Sequence, residues 1–330
     1  MAILLGLEYE GIPSGPSAGA INGTNIELIR QNLDSILVSP AGLAYWASIG
    51  SRRNEGNRGV TYFHDAATGE TLNSMGLPEI GIDQAEPLIK EYSQRFADAG
   101  KILIVGATTL RGEDATKVLP ELMERIFEAG GVVGEANYSC PNIVTLGGGR
   151  KPILGYDPEA VYLARSSIVA AVGKDVKIQE KLPPYIGEYR ALIPEVAGSY
   201  SPERRLGNVG VTGFNTIPNT VIERDGKPVL NIEAEVDGEV VVTHAGGLSG
   251  PAVAEQYNEL QREFLRYLPS DVPFMRAGGI WSGQDVRICT EGETRAEAAT
   301  GVTRFWEGAK AGATFGRVAT RMAEEYLEAS

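Results

Sequence analysis

Apolar positions along the chain recur in two rhythms. Longer stretches repeat at the helical period, over Asn25–Ser35, Gln84–Gly100, Asp114–Gly130, Pro158–Gly173, Tyr185–Ala197, Gly250–Leu268 and Val302–Ala311. Between them lie short apolar runs with strand character: Ser14–Ala20, Leu43–Ile49, Lys101–Gly106, Val132–Cys140, Val176–Leu182, Val209–Asn215, Val272–Ile280 and Ala313–Val318. Several helical stretches stop at glycine, as at Gly100 and Gly130, where a left-handed residue closes a helix. Strand-then-helix alternation predicts parallel βαβ units. Eight of them predict an α/β fold, a (β/α)8 TIM barrel, which needs roughly 250 residues. The rest reads as additions: Met1–Pro13 as a hairpin under the barrel, Val221–Thr243 as a small antiparallel insertion, and the polar Arg287–Gly301 as a surface insertion. Asp225-Gly226 and Asp237-Gly238 supply turns for the antiparallel insertion. No composition shift marks a boundary, so residues 1–330 read as a single domain.

Composition then narrows the partners. The 330 residues carry a formal net charge of −13, which leaves no excess of Lys and Arg to neutralise phosphates and argues against nucleic acid. Two cysteines, Cys140 and Cys289, supply neither a disulfide framework nor a four-thiolate cluster. No apolar run is long enough to span a membrane, and the start of the chain is a poor signal peptide. A soluble, cytoplasmic protein with no membrane partner is the expectation.

Active sites of such barrels form at the C-terminal ends of the strands. There the chain places Asn137-Tyr138-Ser139-Cys140-Pro141-Asn142, two carboxamides and a thiol, although a turn with Asn satisfying the loop backbone would look the same. Lys181 closes the next strand and reads either as a salt-bridged or snorkelling lysine or as a fixed positive charge or Schiff-base amine. Asn215-Thr216 and Asn73-Ser74-Met75-Gly76-Leu77 put further polar groups and a flexible backbone at strand ends. Gly250 and Gly278-Gly279 each precede a predicted helix, where backbone N–H groups bind phosphate. His64 and His244 have no neighbours at metal-ligand spacing and read as structural.

In order, NSMGLPEIG (Asn73–Gly81), NYSCPN (Asn137–Asn142), KLPPY (Lys181–Tyr185), FNT (Phe214–Thr216), GGLSGP (Gly246–Pro251) and AGGIWSGQD (Ala277–Asp285) resemble the dihydroorotate dehydrogenase family, class 1. The resemblance runs from about Pro16 to Met322. It implies FMN as cofactor, a homodimer, and oxidation of (S)-dihydroorotate to orotate with a soluble acceptor such as fumarate. By the same resemblance Cys140 is the catalytic base, with hydride passing to flavin N5, and Lys181 lies beside the flavin. Asn73, Asn137, Asn142, Asn215 and Thr216 bind the pyrimidine, together with Met75, Gly76 and Leu77. Ala18, Gly19, Ser48, Gly250, Gly278, Gly279, Ala319 and Thr320 bind the cofactor, and residues 141–157 form a mobile loop over the substrate.

The pattern departs from the family at the second strand, where Ala47 stands in place of a lysine and no lysine precedes Lys90. Trp46 and Trp281 add bulk beside the proposed site, and Arg52 or Arg53 offers a replacement charge. These changes keep open a related flavoenzyme acting on a neutral dihydropyrimidine or another cyclic amide, or running as an ene reductase. A Schiff-base lyase built on Lys181 without flavin, and a non-catalytic flavin-binding paralogue, are the remaining alternatives.

Overall fold

A computed structural model describes residues 1–16, 21, 23–140, 144–145, 152–291 and 296–329. Eight parallel strands follow one another round a barrel: Ser14–Pro16, Leu43–Ile49, Ile102–Ala107, Val133–Asn137, Lys177–Leu182, Asn208–Gly213, Phe274–Ala277 and Ala298–Gly301. Seven neighbouring pairs share a ladder. The last gap, between the first and second strands, is bridged by Ile12 and Ala41. Gly15 lets the two backbones meet there, because a Cβ on it would fall 1.9 Å from the Leu43 carbonyl oxygen.

Helices cover the outside, and their starts follow local chemistry. Asn25, Asp114, Asp157 and Thr314 cap helices Ile26–Leu37, Ala115–Glu128, Pro158–Val172 and Phe315–Glu328 by accepting backbone N–H bonds. Gly100 and Gly130 follow helices Ile82–Asp98 and Ala115–Glu128 with φ of 66° and 95°. Helix faces and outward strand residues merge into one apolar layer, from Leu33 and Ile89 to Phe264 and Phe305. The hairpin Ala2–Leu4 with Leu7–Tyr9 closes the bottom of the barrel: Leu4, Leu5 and Tyr9 pack on the inward Leu43, Tyr45, Ile102, Ile104 and Met275.

Two expectations change. The eighth strand is Ala298–Gly301, not Ala313–Val318, so the described residues 287–291 and 296–301 are not a surface insertion. They hold the end of helix Gly283–Glu291 and a fully buried barrel strand. Phe315, Val318, Ala319 and Met322 recur on one buried face of a helix, which their helical spacing dictates once Thr314 caps it. Second, the antiparallel insertion is larger than 221–243. Its strand Asn231–Val236 pairs with both Glu239–Thr243 and Arg58–Val60, while Gly246–Ser249 pairs with Glu70–Asn73. Excursions after the second and sixth strands thus knit together above the barrel mouth. Asp225, Gly226, Asp237 and Gly238 all have positive φ, as their two-residue turns require.

Candidate active site

The C-terminal ends of the strands open into a cavity lined by Ser48, Asn73, Met75, Leu77, Asn137, Cys140, Lys181, Asn215, Thr216, Gly250, Gly278 and Gly279. Strand alternation explains the floor. In the fourth and fifth strands Asn137 and Lys181 are register partners, and the same inward face carries Glu135 and Gln179 one step down. Lys181 is 6% exposed, with Nζ 5.6 Å from the centre of the Tyr45 ring. Burial lowers its pKa from the usual lysine range, while attraction to Glu135 and to the Cys140 thiolate acts the other way. Burial likewise raises the Glu135 carboxyl, with Lys181 opposing.

Ser139 organises the polar wall. Asn137 Oδ1 accepts from the Ser139 amide at 3.0 Å and its hydroxyl at 2.8 Å, and Asn137 Nδ2 donates to Ser48 Oγ at 2.9 Å. Asn215 Nδ2 donates to Ser139 Oγ at 2.9 Å and to its carbonyl at 3.1 Å. Two carboxamides from different strands are therefore held against one hydroxyl. Ser48 itself sits at a bulge in the second strand with φ 65°. Asn73 Nδ2 donates to the Gly247 carbonyl across the excursion ladder at 3.4 Å.

The Met75–Pro78 segment is shaped from behind. Asn54 donates to the carbonyls of Gly76 and Leu77 at 2.7 and 2.6 Å, and Asn57 to that of Ser74 at 2.9 Å. Gly76 and Leu77 take φ of 72° and 57°. Gly76 does not line the main cavity; its missing Cβ makes room for Asn57 and it faces a neighbouring cavity.

Close packing requires glycine at the opposite end. A Cβ on Gly250 would lie 2.5 Å from the Gly69 carbonyl oxygen, and one on Gly278 2.4 Å from the Tyr257 ring. Gly301, which ends the true eighth strand, and Val302 and Thr303, which follow it, complete this end. Ala319 and Thr320 do not: Ala319 is buried in the last helix, and Thr320 lines a surface cleft with Met1 and Ala2. The strand shift that moved the eighth unit moves them away from the site.

Other expectations are redistributed. Trp46 lies in the outer apolar layer, and Trp281 stacks on His64 with ring centres 5.7 Å apart; neither lines the cavity, whereas Trp306 does. Arg52 pairs with Glu113 at 3.2 Å and Arg53 with Glu55 at 2.6 Å, and both face the neighbouring cavity. His64 Nδ1 bonds Thr71 and His244 Nδ1 the Leu230 carbonyl, as structural histidines do. Ala18, Gly19, Asn142 and most of the loop over the substrate, including Gly147–Gly149, lie outside the described residues. Among the described residues no group of three or more His, Cys, Asp or Glu is arranged to hold a metal ion, and no helix is long and apolar enough to cross a membrane.

Comparison with known proteins identifies the family. The sequence model of the dihydroorotate dehydrogenase family matches residues 4–290. A "Dihydroorotate dehydrogenase B (NAD(+)), catalytic subunit" of Methanopyrus kandleri is 26% identical over 78% of this chain and 72% of its own length. "Dihydroorotate dehydrogenase A (fumarate)" of Lactococcus lactis is 26% identical over 77% and 74%. "Dihydroorotate dehydrogenase (fumarate)" of Saccharomyces cerevisiae is 25% identical over 78% and 74%. With a family match across most of its length, an eight-stranded parallel barrel and a polar cavity at the strand ends, this chain belongs to the dihydroorotate dehydrogenase family.

Proposed function

We propose that the protein is an FMN-dependent dehydrogenase that oxidises (S)-dihydroorotate to orotate and passes the electrons to a soluble acceptor such as fumarate. The observation that carries the reading is the single cavity lined at once by Cys140, Lys181, three carboxamides and the Gly250 and Gly278-Gly279 loops. FMN fits this lining. Gly250, Gly278 and Gly279 put backbone free of side chains on the cavity wall, and Lys181 offers a buried positive charge. Gly250, Gly278, Gly279 and Gly301 would hold the phosphate through backbone N–H groups, and Lys181 would face the flavin ring. When bound, FMN supplies the acceptor for a hydride.

Cys140, as thiolate, removes a proton from the ring carbon beside a carbonyl, and that C–H pair becomes the ring double bond as the adjacent carbon gives up its hydride. Asn73, Asn137 and Asn215 are carboxamides, the group type that carries both donor and acceptor and so suits a ring of alternating N–H and C=O groups. The hydroxyl of Thr216 is buried with no partner among the described residues, which leaves it available to a ligand. Lys181 holds positive charge where negative charge accumulates on reduction.

One observation favours a second reading, in which the substrate is a neutral dihydropyrimidine. Ala47 occupies the second strand, and Lys181 is the only charged side chain lining the cavity among the described residues. Anaerobic mixing of the flavin-loaded protein with dihydroorotate separates the two. Rapid loss of flavin absorbance supports the first reading. No loss with dihydroorotate, but loss with dihydrouracil, replaces it with the second.

A further inference from the structure

Behind the Gly278-Gly279 loop lies a buried guanidinium that the chemistry above does not use. Arg276 is fully buried in the seventh strand and reaches outward to helix Ala254–Tyr267. Its Nε donates to the Gly278 carbonyl at 3.0 Å, Nη1 to the Tyr257 carbonyl at 2.9 Å and to Gln261 Oε1 at 2.7 Å, and Nη2 to the Ala254 carbonyl at 3.5 Å. The guanidinium carbon stands 5.4 Å from the centre of the Tyr257 ring. A Cβ on Gly279 would lie 3.3 Å from Nη2, so the charge sits directly behind the loop that lines the cavity.

Each of these acceptors is a neutral carbonyl oxygen. The hydrogen-bond partners of Arg276 among the described residues include no carboxylate. Burial lowers its pKa, and the Cys289 thiol, the Tyr257 hydroxyl and, least of the three, Asp285 act the other way, Asp285 with its own oxygen engaged by the Trp281 and Ser282 amides. Gln261 turns its carbonyl to the guanidinium and leaves its Nε2 buried without a partner among the described residues. A buried cation held only by dipoles is costly unless an anion completes it. The loop's other side lines the cavity.

We propose that Arg276 is a positioning residue for a phosphate: its fork ties the Gly278-Gly279 loop to the first turns of helix Ala254–Tyr267, and its charge is the buried complement of a phosphate dianion bound on the loop's other face. The inference rests on the FMN reading of the site and deepens it. Lysine at this position keeps the charge and loses the planar fork; methionine keeps the stem volume and loses both.

The test compares FMN with riboflavin, which lacks the phosphate, binding to the flavin-free full-length chain, followed by flavin fluorescence quenching. Arg276→Met should weaken FMN about tenfold or more while shifting riboflavin by about twofold at most, and Arg276→Lys should recover a large part of the FMN preference. Equal weakening of both flavins in the methionine variant would reduce Arg276 to a brace and overturn the proposal. So would an unchanged FMN affinity. If the methionine variant fails to fold, the lysine variant decides: a retained preference for FMN supports the charge, and its loss overturns it. A wild-type chain that binds neither flavin removes the FMN reading itself, a different outcome from a chain that binds both without discrimination.

Discussion

At the scale of single residues, the site is built from groups that alternate strand geometry pushes to one face. Cys140 follows the fourth strand, at the point where Ser139 gathers Asn137 and Asn215. Its proposed role as base gives a sharp expectation. Cys140→Ser should bind FMN as the wild type does, yet reduce flavin about 10²- to 10⁴-fold more slowly near neutral pH, because a hydroxyl is a far weaker base at that pH. Raising the pH should recover part of the rate. Stopped-flow reduction under single-turnover conditions reads this directly, and a wild-type rate in the serine variant would take the role from Cys140. The motif residues were legible because short runs such as NYSCPN and KLPPY sit at strand ends whatever the exact register. Ser139 was visible in the motif but not as its organiser, since its four bonds run to Asn137 and to Asn215, 76 residues away in sequence. Trp306 and Thr303 left no signal, because they enter through an eighth strand whose four residues, Ala298–Gly301, are too short and too small to stand out.

At the scale of elements, the fifth strand shows how one segment serves two layers. Val176–Leu182 has strand character, but Lys177, Gln179, Glu180 and Lys181 make its C-terminal part polar on both sides, so alternation alone gives it no clear inward face. The fold resolves the pattern. Lys181 and Gln179 point into the barrel, while Glu180 points out to Arg165 on helix Pro158–Val172. Arg165 meets Glu180 through Nε at 3.0 Å and Nη2 at 2.7 Å, with both side chains fully buried. Tyr200 and Tyr138 donate their hydroxyls to the same carboxylate at 2.6 and 3.2 Å, and Arg165 Nη1 reaches the Ser199 carbonyl at 2.7 Å. Tyr138 stands beside Asn137, so this cluster also fixes the root of the Cys140 loop. Removing one partner leaves the other charge buried: Arg165→Met should cost about 3–5 kcal/mol in urea unfolding. The double variant Arg165→Met with Glu180→Leu should recover much of that loss, because no lone carboxylate remains. A double variant no more stable than the single one would show that the hydroxyl bonds, not the ion pair, hold these elements together. The barrel was thus readable from alternation of strands and helices. The polar outer cluster was not, because its members are separated by up to 62 residues and each alone reads as a surface group.

At the scale of the whole molecule, the excursion over the barrel mouth is anchored by a carboxyl whose ionisation the fold resists. Glu79 is 1% exposed, follows the Met75–Pro78 wall, and accepts from the Gly81 amide at 2.6 Å through Oε2. A Cβ on Gly50 would lie 2.9 Å from its Oε1. The residue's backbone pairs with Asn54, so one position joins the end of the second strand, the Asn54–Asn57 loop and the start of helix Ile82–Asp98. Burial raises the carboxyl from 4.5 to about 7, with the Gly81 and Gly50 amides acting against it and Glu113 adding to it. The folded pKa lies above the unfolded one, so the native state binds the proton more tightly. Unfolding free energy from this group is full below about pH 4.5, falls as pH rises through the window, and is gone once pH passes about 7. Net charge grows more negative over the same range and adds repulsion of its own, so the wild-type slope alone cannot assign the effect. Glu79→Gln keeps the shape and the acceptor for Gly81 while removing the proton. Between pH 5.5 and pH 8 the wild type should lose about 1–2 kcal/mol more than the glutamine variant, measured by urea unfolding at matched ionic strength. Parallel stability curves for the two chains would show that Glu79 stays ionised in the fold, and that the excursion is held without its proton.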